Sequence, residues 1–293
     1  MSKPTLNIGL IGSGFMGQAH ADAFRRAHML YPNLPMTPHL YCLADANDEL
    51  AAKAAARFGF ETSTGDWRKL INDPKVDVVD ITSPNHLHCE MALAAIEAGK
   101  HVYCEKPLAV TLEEAERMAA AAERKGVKTL VAFNNIKTPA ALLAKQLIER
   151  GDIGTPTRFR AWFDQGFFND PTLPWSWRCS RKDAGSGALG DLGSHVIGVG
   201  QFLMGGIDEV AAQAQTFFPK RPVPQGGSGY GAKAGTDATM AEVENEDQIQ
   251  CLVRFSSGAG GTIEASRISA GKVFGVYWEV SGTEGTIIMD GER

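Results

Sequence analysis

The sequence predicts an α/β protein of two domains. A doubly wound parallel sheet over residues 1–136 is followed by an α+β domain with a largely antiparallel, open sheet over residues 137–293. Three observations predict it. A Gly12-x-Gly14-x-x-Gly17 turn follows a short apolar run and opens a helical stretch. Strand-like and helix-like segments then alternate with short connections as far as residue 133. Beyond residue 149 the pattern changes to six strand-like runs interrupted by one strong helix.

Residues 6–11 fit a parallel strand buried on both faces, and a helix follows at 15–28. Residues 31–38 carry three prolines and read as loop. A strand at 40–44 runs into Asp45. Residues 48–58 are alanine-rich and helical, closed by Gly59. A strand at 76–82 is broken by Pro84 and Asn85, a helix spans 89–98 with Gly99 beyond it, and a strand at 101–104 ends in Glu105-Lys106-Pro107. Thr111 with Glu114 three residues on has the form of a capping box. Residues 128–133 close this series.

A helix at 139–149 opens the second domain. Strands follow at 157–163, 210–218, 248–255, 261–266, 276–281 and 286–289, with a helix at 189–203. Residues 220–236 are rich in Gly and Pro and read as a mobile loop. The chain stops soon after a strand, so a final segment is expected to be missing from the second domain.

The bulk numbers exclude several classes. With 293 residues, 44% hydrophobic and 22% charged, the chain is an ordinary globular protein. A net charge of -5 gives no basic face for nucleic acid. No run nears 18 apolar residues, so no membrane span is expected. Residues 1–7 do not have the form of a secretion signal, so secretion is not expected. The five cysteines are scattered and never form a C-x-x-C pair, which points to a reducing cytoplasm. His86, His88 and Cys89 lie close together but lack partners at zinc spacing, so no metal is expected.

In a doubly wound sheet, ligands lie at the carboxyl ends of the strands, where Asp45, Pro84, Asn85, Glu105, Lys106 and Asn134 fall. Gly12 permits a tight turn, Gly14 lets the backbone approach a pyrophosphate, and Gly17 lets helix pack on strand. The helix N-terminus beyond them, at Phe15 and Met16, offers N–H groups to phosphates. Asp45 can accept from the adenosine ribose hydroxyls and would repel a 2′-phosphate, which favours NAD over NADP. Its gap from Gly17 is long, and the proline loop accounts for the excess. No arginine follows it directly. Read alone, Asp45 could instead cap the next helix.

Lys106 can hydrogen-bond a substrate hydroxyl and favour its alkoxide, and Pro107 is a candidate for a cis bond that aims it. Read alone, it could end a strand in a solvated salt bridge. Asp191 and His195, four residues apart at a helix start, share a face. His195 suits a general base near neutral pH, with Asp191 orienting it. Taken alone, they could be a helix cap and a satisfied core histidine.

The glycine turn, Glu105-Lys106-Pro107 and Gly190-Asp191-Leu192-Gly193-Ser194-His195 together resemble the glucose-fructose oxidoreductase/inositol dehydrogenase/rhizopine catabolism (Gfo/Idh/MocA) family, in order and spacing, over nearly the whole chain. The resemblance implies a Rossmann domain, and a second domain whose open sheet mediates a homodimer or homotetramer. It implies a catalytic Lys106 with Asp191 and His195. It places Gly12, Gly14, Phe15, Met16, Gly17, Asp45, Ser83, Pro84, Asn85, His88, Glu105 and Asn134 around the cofactor. Trp177 and Arg178 resemble the family's Trp-Arg pair near the nicotinamide. Arg267 falls where some members touch substrate, and Trp162, Phe167, Phe168 and Trp175 are further candidates for substrate specificity.

The activity this implies is NAD-dependent hydride transfer at a hydroxyl-bearing carbon of a sugar, polyol or cyclitol. Two alternatives stay open on the sequence. One is a hydrolase or lyase that uses tightly held NAD for transient oxidation. The other is a non-catalytic nucleotide-binding regulator.

Overall fold

The apolar run after the N-terminus forms β1 (Thr5–Ile11), and its alternation explains the layers built around it. Leu10 packs with Ala21, Ala51 and Phe58 on one face. Ile11 packs with Leu70, Ala92 and Met118 on the other. A strand with helices on both faces must be apolar on both, which is why it reads as a continuous run. The computed structural model describes residues 3–225, 234–235 and 238–292. The chain divides into two units, Met1–Ala132 and Phe133–Arg293.

In the first unit β1 is followed by α1 (Phe15–Leu30), β2 (Thr37–Ala44), α2 (Asp48–Phe58), β3 (Thr62–Thr64), α3 (Trp67–Asn72), β4 (Val78–Ile81), α4 (His88–Glu97), β5 (His101–Cys104), α5 (Leu112–Lys125) and β6 (Thr129–Val131). The sheet is parallel in the order β3-β2-β1-β4-β5-β6. Its order reverses between β1 and β4, and the carboxyl ends of those strands mark the ligand crevice of such sheets. Caps set the helix ends. The Asn47 side chain accepts from Leu50 N at the start of α2, and Gly59 ends that helix at φ 83. Thr111 and Glu114 form the expected capping box.

Two expectations fail here. Pro38 lies in β2, paired with Leu6. The strand tolerates it because β3 pairs only with Cys42 to Ala44, leaving the other side of β2 open at Pro38. The short β3 and α3 went unread, being too brief to show a period.

The second unit contains α6 (Pro139–Glu149), β7 (Pro156–Asp164), α7 (Arg181–Ala184), α8 (Ser194–Met204), β8 (Ile207–Gln215), β9 (Lys220–Pro222), β10 (Met240–Glu242), β11 (Gln248–Phe255), β12 (Gly260–Ser266), β13 (Gly275–Gly282) and β14 (Thr286–Asp290). The main sheet runs β14-β13-β7-β12-β11-β8. Only its β7–β12 pairing is parallel. Phe159, Ala161 and Phe163 of β7 turn inward to a core shared with Ala141 and Ala144 of α6 and Val196, Val199 and Leu203 of α8. The alternate residues face away from that core. There Trp162 stacks on Tyr277 at 3.8 Å, Arg160 donates to Glu279 at 2.7 Å, and Leu252 and Ile288 stand exposed. The expected loop at 220–236 begins instead as β9, which pairs with β10. Of that stretch, residues 226–233 and 236 lie outside the described residues.

Candidate active site

The glycine turn is built as its residues require. Gly12 has φ +100, a region that favours glycine. Its N–H donates to Ala44 O at 2.9 Å, and the Thr82 hydroxyl donates to its carbonyl at 2.7 Å. A Cβ on Gly17 would stand 2.1 Å from Gly12 O, so only glycine lets α1 come this close to β1. A Cβ on Gly14 would meet open space. α1 starts at Phe15, which is largely exposed, with Met16 beside it. It has no acidic residue in its first turn and no side-chain cap. A helix start of this kind, with no acidic side chain in its first turn, suits a dinucleotide pyrophosphate.

Asp45 stands just past β2 and ties down the same turn. Its carboxylate accepts from Ser13 N at 2.8 Å, from the Ser13 hydroxyl and from Ala46 N at 2.6 Å. Asn47, not Asp45, caps α2. A carboxylate fixed here suits ribose hydroxyls and opposes a 2′-phosphate. Replacing Asp45 by Ser is expected to lower the ratio of kcat/KM with NAD to that with NADP by about 10- to 100-fold, since like charges at close range cost several kcal/mol. Steady-state kinetics with both cofactors checks this, and an unchanged ratio would count against the assignment.

The ends of β4 and β5 bring the remaining first-unit residues to this edge. Ser83 and Pro84 follow β4, and Asn85 begins a 3-10 turn. His88 is fully buried behind that loop, with Nε2 2.9 Å from Ser83 O and Nδ1 3.0 Å from Pro107 O. Burial pushes its pKa down, against those two carbonyls. It ties the two loops together from behind, a correction to its expected place against the cofactor. The Lys106–Pro107 bond is cis. Lys106 N donates to Glu105 Oε2 at 3.0 Å. Glu105 is itself buried, with Oε1 3.0 Å from His20 Nε2. The other ring nitrogen of His20 lies 2.9 Å from Asp80.

In the second unit the helix at Asp191 and His195 is not regular. Leu189–Gly193 forms a π-helical turn in which Ser194 N reaches back to Leu189 O, and α8 follows. Asp191 therefore lies in the wide turn and His195 in the α-helix. Their simple α-helical face is replaced by a bulged one, a feature frequent at functional sites. Asp191 pairs with Arg178 Nε at 3.6 Å, and His195 packs against Phe163, ring centroids 5.6 Å apart. The Arg178 guanidinium also lies over the Trp177 ring at 4.4 Å.

A segment that the motifs gave no hint of holds these residues in place. Glu246 Oε1 accepts from Gly187 N and Leu189 N at 2.8 and 2.9 Å. A Cβ on Gly187 would sit 1.9 Å from Glu246 O. Asn245 Nδ2 donates to Arg178 O at 2.9 Å. Asp247 pairs with Arg267 at 2.9 Å, both buried.

Arg267 is thus a correction. At 2% exposure it braces Arg178 O and Asn245 O from within and does not present itself to substrate. Phe168 is buried under Arg221 and Arg267. Trp162 lies on the sheet face opposite His195's neighbour Phe163. Trp175 donates to Glu242 O, and Phe167 packs beside Phe168. Asn134 is exposed in a 3-10 turn of the second unit. Replacing Asp247 by Asn leaves a buried guanidinium without its counter-ion and is expected to cost about 3–5 kcal/mol. Urea denaturation reads this directly, and an unmoved midpoint would contradict it.

Comparison with known proteins agrees with this geometry. Residues 6–133 match the family described as oxidoreductase family, NAD-binding Rossmann fold, and residues 141–288 match the GFO/IDH/MocA C-terminal domain. The chain belongs to the Gfo/Idh/MocA oxidoreductase family. Levoglucosan dehydrogenase of Pseudarthrobacter phenanthrenivorans is 46% identical over 98% of this chain and 74% of its own. A solved NAD-binding oxidoreductase of Klebsiella pneumoniae is 69% identical with a TM-score of 0.92, covering 99% of this chain and 74% of that one. Levoglucosan dehydrogenase solved with NADH and levoglucosan is 45% identical, with the same TM-score and coverage. As a Gfo/Idh/MocA member the chain is an NAD-dependent oxidoreductase, and the glycine turn, the uncapped start of α1 and Asp45 fit that cofactor. Among the described residues no cluster of His, Cys, Asp or Glu is arranged to hold a metal ion, and no helix is long and apolar enough to cross a membrane.

Proposed function

We propose that the protein oxidises a ring hydroxyl of a pyranose-like sugar, with anhydro-sugars as the first candidates and cyclitols next. The observation that carries this reading is the 46% identity to a dehydrogenase of an anhydro-sugar across nearly the entire chain. Relatedness to a myo-inositol 2-dehydrogenase of Thermotoga maritima, 28% identical, widens the class to cyclitols.

NAD, when bound, supplies the hydride acceptor. His195 removes the hydroxyl proton. Lys106 stabilises the developing alkoxide, and Asp191, paired with Arg178, orients His195. Fixing these groups on strand and helix ends supplies much of the rate through orientation.

The exposed face of the second sheet, with the Trp162–Tyr277 stack, Leu252 and Ile288, is where a homodimer or homotetramer would form. All five cysteines are buried and free, which supports a reducing, cytoplasmic setting.

The test is absorbance at 340 nm, with NAD and a panel of anhydro-sugars, free hexoses and inositols, on protein stripped of nucleotide. NADH formed with levoglucosan or a close analogue is the expected result. NAD that stays with the protein, with no NADH from any compound, would overturn net oxidation and favour internal redox chemistry.

A further inference from the structure

His20 is a buried, doubly bonded histidine that none of the motif residues requires. It sits on α1, three residues after Gly17, and is 8% exposed. Its ring lies between two carboxylates, Asp80 of β4 at 2.9 Å from Nδ1 and Glu105 at 3.0 Å from Nε2. Tyr103 of β5 stacks on it, ring centroids 4.9 Å apart and 17° from parallel. Asp80 is fully buried, in the middle of a parallel strand where an apolar residue would pack without cost. Both ring nitrogens face carboxylate oxygens, so only the imidazolium, with two N–H donors, satisfies both.

The charge state follows from the same contacts. Burial by itself lowers the His20 pKa. Hydrogen bonds and charge from Asp80 and Glu105 outweigh this and raise it to about 10. Tyr103 is pushed up to about 12 by burial and by the same two carboxylates. Cys104 of β5 is raised for the same reasons, and His88 of α4 also feels Glu105.

The chain of contacts ends at the chemistry. Glu105 spends one oxygen on His20 and the other on Lys106 N–H at 3.0 Å. We propose that His20 is a positioning residue for hydride transfer: anchored by Asp80, its imidazolium fixes the Glu105 carboxylate, which in turn fixes the backbone from which the Lys106 side chain departs. The inference rests on the assignment of Lys106 and NAD to the site and adds the groups that hold them still.

Three full-length proteins test it: the parent, H20Q and D80N. Two quantities are read from roughly pH 6 to 9.5: NAD binding through tryptophan fluorescence, and single-turnover NADH formation. Each variant is read as a ratio to the parent at the same pH, which cancels the ionisation of His195 common to all three. H20Q cannot titrate at this position, so its ratio to the parent should stay constant with pH, with hydride transfer slower by about 10- to 100-fold and substrate KM little changed. D80N removes the anchor, so His20 should lose its proton as pH rises between 6.5 and about 10. Its rate ratio should then fall with a single new ionisation, while NAD affinity changes little.

A D80N ratio that stays constant with pH, or parental rates in H20Q, would overturn the proposal. If either variant fails to fold, the ring nitrogen NMR signals of His20 in the parent decide. A doubly protonated ring at about pH 8 supports the network, and a neutral one sinks it. Absence of NAD binding by the parent would instead strike at the cofactor reading, and binding itself requires no substrate.

Discussion

Lys106→Ala is expected to lower kcat by about 10³-fold while NAD affinity changes only a few-fold. The lysine leaves the end of β5 from a backbone fixed by Glu105, in a partly buried position. Its charge is needed when a substrate oxygen becomes an alkoxide, so its loss falls on the chemical step. Lys106→Arg should not restore the rate, because a planar, forked guanidinium cannot replace a compact ammonium. Single-turnover NADH formation after premixing with NAD separates binding from chemistry. A variant that turns over at the parental rate would remove Lys106 from the mechanism.

Gly17→Ala should abolish cofactor binding by breaking the turn that makes the site. The added Cβ would stand 2.1 Å from Gly12 O and 3.0 Å from Thr82 Oγ1. The carbonyl cannot swing away cheaply, because it accepts from the Thr82 hydroxyl and its own N–H is held by Ala44. Either α1 lifts from β1 or the turn opens. We expect NAD affinity to fall more than about 100-fold and stability to drop by about 1–3 kcal/mol.

Gly14→Ala is the control. Its Cβ meets open space, so the fold should be untouched, and any loss of NAD binding must come from the space the cofactor occupies. Equal stability loss in both variants would show that Gly17 is not tightly packed against the Gly12 carbonyl.

The readable parts of the chain were those where one physical constraint acts over several consecutive residues. The buried strands, the capping box at Thr111 and the glycine closing α2 all announced themselves in this way. Glu105-Lys106-Pro107 and Gly190 to His195 were legible because reactive residue types fall at element ends. The residues that hold them were not. Asp80 left one trace, a carboxylate within the apolar run Val78–Ile81, but its partner His20 is 60 residues away and shares no pattern with it. Asn245, Glu246 and Asp247 match no motif, and only the fold brings them under Arg178, Gly187 and Arg267. Arg267 was misjudged for a related reason. Position along the chain suggested substrate contact, and only burial shows the guanidinium turned inward.

The wide turn at Leu189–Gly193 carries one residue more than regular winding would need. Remove a residue from this stretch and the helix can close into an ordinary α-helix. The helix on either side keeps nearly its facing, but a side chain within the turn, as Asp191 is, no longer stands where the wider winding put it. A sequence could keep both Asp191 and His195 through such a deletion and still aim them in different directions. At this place, chain length specifies the angle between the two side chains as firmly as residue identity specifies their chemistry.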